Sequence, residues 1–257
     1  MTNTASDDRR RAMLEHIRRI GRVGVSELAE RLQISVETVR RDLKVLDDHG
    51  LVSRTHGGAF PTDGARYETS LGLRAGLRVP DKRRIAGAAI QHLGSAQTIF
   101  VDEGFTPQLV AKGLTALNRP LTVITPSLGA ATILATAEHS TVIQLGGRVR
   151  EQTRGTVDHW AIDMLSSMVI DLAILGTNGI CLQRGLTTPE PAVQALKQRV
   201  VQVSARRLLV GISAKFGVTS FCRFADIADC EKIITDNKLT AYEAQRFSEL
   251  GPEVIRV

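Results

Sequence analysis

A chain of 257 residues, 43% apolar and 23% charged, has the composition of a folded globular protein and room for a small domain plus a larger one. No apolar run nears the ~20 residues of a membrane helix, and the polar N-terminus has no signal-peptide core, so a cytoplasmic protein is expected. The net charge is +6, and residues 1–90 hold most of it, with 17 Lys/Arg against 12 Asp/Glu; that is the placement attraction to phosphate would favour.

Residues 9–20 carry Ala12, Met13, Ile17 and Ile20 at helical spacing. Gly21 and Gly24 break that helix. Ser26 is the expected cap of a short second helix, Glu27 to Leu32, with Leu28, Ala29 and Leu32 turned inward. Gln33 and Ile34 make a turn. A third helix follows, with Ser35 as N-cap and Val36, Val39, Leu43 and Leu46 on its docking stripe. At about 100° per residue, Arg41 lies almost opposite that stripe, Glu37, Thr38, Lys44 and Val45 share its side, and Arg40 is on the flank. After Gly50, residues 51–60 hold two β-type runs that meet at Gly57-Gly58, which predicts a hairpin carrying Arg54 and His56. Three small amphipathic helices of this kind fit either a plain packing unit or a helix-turn-helix, in which the short helix, tight turn and longer helix with exposed Arg and Thr would send that second helix into the major groove, with the hairpin as its wing. The predicted DNA contacts are Ser26, Ser35, Glu37, Thr38, Arg40, Arg41, Lys44, Arg54, His56 and Gly57.

Residues 61–80 read as a linker punctuated by Pro61, Gly64, Gly72, Gly76 and Pro80, with a short helix expected over 70–76. From Asp81 helices alternate with apolar strands. The expected strands are 98–101, 121–125, 141–145, 172–175, 208–212 and 232–235. The expected helices are 82–93, one to about Leu117, one to about Ala137, 190–204, and a last one from Ala241. Continuous apolar strands separated by helices imply an α/β domain, 81–257, built on a mainly parallel sheet. Ligands of such sheets bind at the carboxyl ends of the strands. The Gly-rich and polar turns would gather there, and several of them open helices whose N–H groups can hold an anion. Cys181, Cys222 and Cys230 have no metal spacing, and the six histidines form no paired-ligand motif, so no metal and no cofactor is expected.

The residues Val25-Ser26-Glu27-Leu28-Ala29, Thr38-Val39-Arg40-Arg41-Asp42-Leu43 and Thr55-His56-Gly57-Gly58-Ala59 resemble the N-terminal signature of DeoR-type bacterial transcription regulators. The second part, over about 81–235, is similar to the sensor domain of that family, whose fold is like that of ribose-5-phosphate isomerase. The matching stretches are Leu145-Gly146-Gly147, Gly176 to Gly179, Gly185-Leu186-Thr187-Thr188 and Ala214-Lys215-Phe216-Gly217. The resemblance implies a winged helix-turn-helix over residues 1–60 and recognition of a sugar phosphate or related metabolite by 81–257. The implied effector residues are Asp102, Glu103, Gly104, Phe105, Thr106, Thr125, Ser127, Gly146, Gly147, Arg148, Gly176, Thr177, Asn178, Gly179, Thr187, Thr188 and Lys215, with Lys215 against an anionic group.

Two strand ends depart from the family: Thr125-Pro126-Ser127 stands where Asn commonly follows Thr, and the turn after the first strand differs more. Its usual sequence is Asp-Ser-Gly-Thr-Thr, and here it is Asp102-Glu103-Gly104-Phe105-Thr106. A carboxylate beside a phosphate is unfavourable, which leaves two readings of Glu103: selection of a less anionic ligand, or pairing with a nearby Arg. If a phosphate is held elsewhere, Lys215 and Arg148 are its expected partners. A regulator released from operator DNA by its effector, acting as a homo-oligomer (dimer or tetramer), is the expected function. The alternative is a sugar-phosphate isomerase with an added N-terminal module. Enzymes of the similar isomerase fold place carboxylates around the turn where Leu175 and Asn178 stand here, and neither can exchange a proton. Glu190 has no evident partner, so no catalytic residue is expected.

Overall fold

Met13, Ile17, Leu28, Val39 and Leu43, none more than 1% exposed, form the core on which α1 (Thr4–Ile20), α2 (Val25–Leu32) and α3 (Val36–Asp48) pack. The computed structural model describes residues 4–48, 52–61, 71 and 78–257. The chain divides into two compact units, Met1–Gly64 and Ala65–Val257. The expected linker and its short helix over 70–76 lie, apart from Pro61, Leu71 and 78–80, outside the described residues, as do Gly50 and Leu51.

The first unit has a small sheet of order β1-β3-β2, made of β1 (Val23–Gly24), β2 (Val52–Thr55) and β3 (Gly58–Pro61). The β2–β3 hairpin turns at His56-Gly57, as the wing reading expects. A Cβ at Gly58 would stand 2.2 Å from the Val23 carbonyl oxygen, so only glycine lets β3 lie against β1. Two expectations are corrected here. Ser26 does not cap α2: strand β1 runs to Gly24, the helix starts at Val25, and the Val25 N–H is satisfied by the Gly57 carbonyl at 2.9 Å. Val36 is 37% exposed and leaves the docking stripe, because it sits at the edge of the stripe in the first turn. Asp42, 1% exposed, takes the inward place and accepts from Arg9 Nε (2.6 Å) and Arg10 Nε (3.0 Å) of α1.

The second unit is a seven-stranded sheet of order β15-β14-β12-β9-β4-β5-β6, every pair parallel. Its strands are β4 (Thr98–Val101), β5 (Leu121–Thr125), β6 (Ser140–Gln144), β9 (Ile170–Leu175), β12 (Ser204–Val210), β14 (Lys232–Thr235) and β15 (Glu253–Arg256). Alternation along the central strands splits the apolar residues between two faces. Ile99, Val101, Leu172, Ile174, Leu208 and Val210 face one core, shared with α4 (Val79–Gln91), α5 (Phe105–Leu114) and α6 (Leu128–Leu134). Phe100, Ala173, Leu175 and Leu209 face the other, shared with α7 (His159–Ser166), α8 (Pro191–Val203) and α9 (Ala241–Ser248). Each fully buried Leu or Ile contributes roughly 1.5–3 kcal/mol.

Sequence periodicity did not show three features: the edge strand β15, helix α7, and the small antiparallel pieces. Those pieces are the hairpin of β7 (Arg148–Val149) and β8 (Thr156–Val157), and a sheet of β10 (Gly179–Cys181), β11 (Gly185–Thr188) and β13 (Cys222–Ala225). Strands of two to four residues are too short for a period to register.

The surroundings of the three thiols favour ionisation to different extents. Burial raises the Cys230 pKa to about 12. Burial, with the nearby Glu190 charge, also raises that of Cys222. Burial opposes ionisation of Cys181 too, but hydrogen bonds from Thr219, Gln183 and Arg184 outweigh it and lower its pKa. Iodoacetamide at pH 8 should therefore modify Cys181 first and Cys230 only on unfolding, as peptide mass mapping would read.

Candidate nucleic-acid interface and ligand site

On α3, Ser35 Oγ accepts the Thr38 N–H at 3.2 Å, so Ser35 is the cap the sequence predicted. Arg40, Arg41, Lys44 and Glu37 are exposed along the outer face, and Arg40 Nη1 reaches Glu37 Oε2 at 3.2 Å. Thr38 is half-buried, with its hydroxyl 2.8 Å from that of Ser35. On the wing, Arg54, His56 and Gly57 are exposed; Ser26 is exposed in the first turn of α2. Within this unit the core anchors one side of α3 and leaves its cationic side open.

In the second unit, the turns after β4, β5, β6, β9 and β12 lie at the carboxyl edge of the sheet. Asp102 follows β4 at 0% exposure. Its Oδ2 accepts the Gly176 N–H at 2.7 Å, and its Oδ1 accepts the Glu103 N–H at 2.8 Å. The Lys197 ammonium of α8 donates to the same Oδ2 and, at 2.8 Å, to the Gly176 carbonyl, tying the ends of β4 and β9 together. Sequence reasoning missed Lys197. The available signal was its place on the apolar stripe Val193, Leu196, Val200, where a lysine needs a buried partner. It also missed Lys82, whose Nζ lies 5.4 Å over the Phe105 ring at the start of α5.

Around the β9 turn, Thr177 Oγ1 donates to the Gly179 and Thr187 carbonyls at 2.9 and 3.0 Å. Thr188 Oγ1 donates to Asn178 Oδ1 at 3.3 Å. The Asn178 amide nitrogen, on a residue 7% exposed, has no hydrogen-bond partner among the described residues. The Lys215 ammonium, in the turn after β12, donates to the Thr177 carbonyl. At the β5 turn, Ser127 is fully buried; its Oγ accepts from Ala130 N at 3.2 Å and Gln108 Nε2 at 3.3 Å. Thr125 Oγ1 accepts from Ser127 N at 3.1 Å. Gly104, at φ 110, turns the chain into α5 ahead of Phe105 and the buried Thr106.

Glu103 is engaged: Arg150 donates to Oε1 at 3.0 Å and Thr153 to Oε2 at 2.6 Å. The pairing alternative is the one the structure shows. Gly146, Gly147 and Arg148 line a cleft of about 760 Å³ with Asp158, Trp160 and Met164, and Arg148 Nε reaches Asp158 at 2.9 Å. Lys215 and Arg148 do not meet. The ends of β12 and β6 stand four strand positions apart, about 19 Å. Glu190 is the N-cap of α8.

The family model described as the DeoR C terminal sensor domain matches residues 78–237, and the DeoR-like helix-turn-helix domain matches 9–63. The chain belongs to the DeoR family. DeoR-family membership makes it a DNA-binding transcription regulator. Among curated relatives, it is 32% identical to the HTH-type transcriptional regulator GlpR of Haloferax volcanii over 249 residues, 96% of each chain. It is 30% identical to the glycerol-3-phosphate regulon repressor of Escherichia coli over 230 residues, 89% of this chain and 90% of that one. Among solved structures, ribose 5-phosphate isomerase A of Neisseria gonorrhoeae aligns with 53% of each chain at TM-score 0.40 and 13% identity, too slight a likeness to bear on activity. No helix among the described residues is long and apolar enough to cross a membrane.

Proposed function

We propose that this DeoR-family protein is a repressor of sugar-metabolism genes that leaves its operator when a sugar, sugar phosphate or related metabolite binds at the carboxyl edge of the parallel sheet. The observation that carries the ligand site is the Asn178 amide nitrogen, buried without a hydrogen-bond partner among the described residues, two positions after Gly176, whose backbone holds Asp102 and Lys197. An unmet buried donor costs about 1–3 kcal/mol, which a ligand hydroxyl would recover. The names of the relatives support the class of effector: one is a glycerol-3-phosphate regulon repressor. The protein binds DNA as a homo-oligomer, since a single helix-turn-helix offers few base contacts. The effector shifts the protein off DNA only by binding the free form more tightly.

The experiment is a gel shift with DNA flanking the gene, followed by titration with a panel of sugars and sugar phosphates. Specific binding that some member of the panel reverses supports the reading; a complex indifferent to all of them counts against it. Lys215→Ala should leave fold and operator binding intact, and raise the effector concentration for half-release about tenfold or more if Lys215 meets an anionic group. An unchanged release curve would remove Lys215 from the site.

A further inference from the structure

Glu103 turns its side chain into a nook of the β7–β8 hairpin. Arg150 Nη1 and Thr153 Oγ1 each donate to one carboxylate oxygen, at 3.0 and 2.6 Å. Glu103, Arg150 and Thr153 are 7%, 6% and 1% exposed. Gly155 makes the room: a Cβ there would stand 1.9 Å from Glu103 Oε2. Its φ is not positive, so space and not backbone conformation requires the glycine. The hairpin is braced around the nook. Arg150 N donates to Gly155 O at 2.9 Å, Arg154 N to Arg150 O at 2.8 Å, and Thr156 N to Pro126 O, next to the β5 turn, at 2.8 Å. A guanidinium and a hydroxyl sealed from water, with backbone close by, are a donor set suited to a carboxylate or a phosphate.

We propose that this nook is an anion site occupied from within. The Glu103 carboxylate stands where an anionic group of a ligand would otherwise sit. The ligand therefore meets the β4 turn through hydroxyl groups and carries any phosphate at the Lys215 end. A phosphate brought to the β4 turn would find the Arg150 guanidinium and the Thr153 hydroxyl already engaged by Glu103, so the nook offers it no net positive charge. The ligand consequence rests on reading this edge as the effector site, but the occupied nook can be tested without DNA or effector.

The test uses the full chain with Glu103→Gly, and sodium formate and inorganic phosphate as probes against chloride at equal ionic strength. In chloride the variant should melt well below wild type. Formate should restore much of the loss while leaving wild type unmoved. By calorimetry the variant should bind phosphate about tenfold or more tighter than wild type, the worth of a charge-assisted hydrogen bond. Adding Arg150→Met should abolish both effects. Equal responses of wild type and variant, or rescue that survives loss of Arg150, would overturn the proposal. If the variant does not fold in chloride, a native circular dichroism spectrum after refolding in formate supports it. No recovery in formate, with Glu103→Gln folding normally, overturns it.

Discussion

Lys197→Met should destabilise the second unit by about 3–5 kcal/mol, because it leaves the Asp102 carboxylate buried without its cation. Asp102 is 0% exposed and keeps, among the described residues, the N–H groups of Gly176 and Glu103, while the Gly176 carbonyl loses its ammonium donor. For a unit of this size that is a fall in Tm of roughly 6–20 °C. Methionine nearly matches the length of the lysine stem, so packing loss is small and charge dominates. One further result separates charge from packing. Lys197→Met combined with Asp102→Asn should be more stable than Lys197→Met alone, a coupling that urea denaturation of the four proteins would measure. A loss below about 1 kcal/mol in Lys197→Met would mean that the pair is not the lock between β4 and β9.

Arg41→Ala should weaken operator binding by about 1–3 kcal/mol and flatten base preference at one position of the site. Arg41 is exposed on the side of α3 opposite Val39, Leu43 and Leu46, so it is free to reach a base edge once the helix lies in the major groove. Arg40, on the flank and held near Glu37, is placed for a phosphate. Arg40→Ala should weaken all sequences alike and lower the salt slope by about one unit. Binding of randomised operators at several salt concentrations distinguishes the two. Unchanged affinity and preference in Arg41→Ala, with its fold intact, would move sequence reading to another residue.

The amino-acid sequence by itself determined the elements whose periodicity is long and clean. The 3.6-residue stripes of α1 and α3, the glycine breaks before α2 and at the wing, and the four- to seven-residue apolar strands of the parallel sheet each state their structure locally, because the pattern is the buried face. The turns at the strand ends followed, since a parallel sheet brings its carboxyl ends to one edge. Tertiary structure decided which charges are internal. Asp42 and Lys197 lie on apolar stripes at positions that composition assigns to solvent, and only the approach of Arg9 and Arg10, or of Asp102, makes their burial possible. Glu103 had two readings until the hairpin put Arg150, Thr153 and Gly155 around it, about fifty residues further along the chain. A charge can be buried only where a partner meets it, and that meeting belongs to the fold, not to any window of sequence.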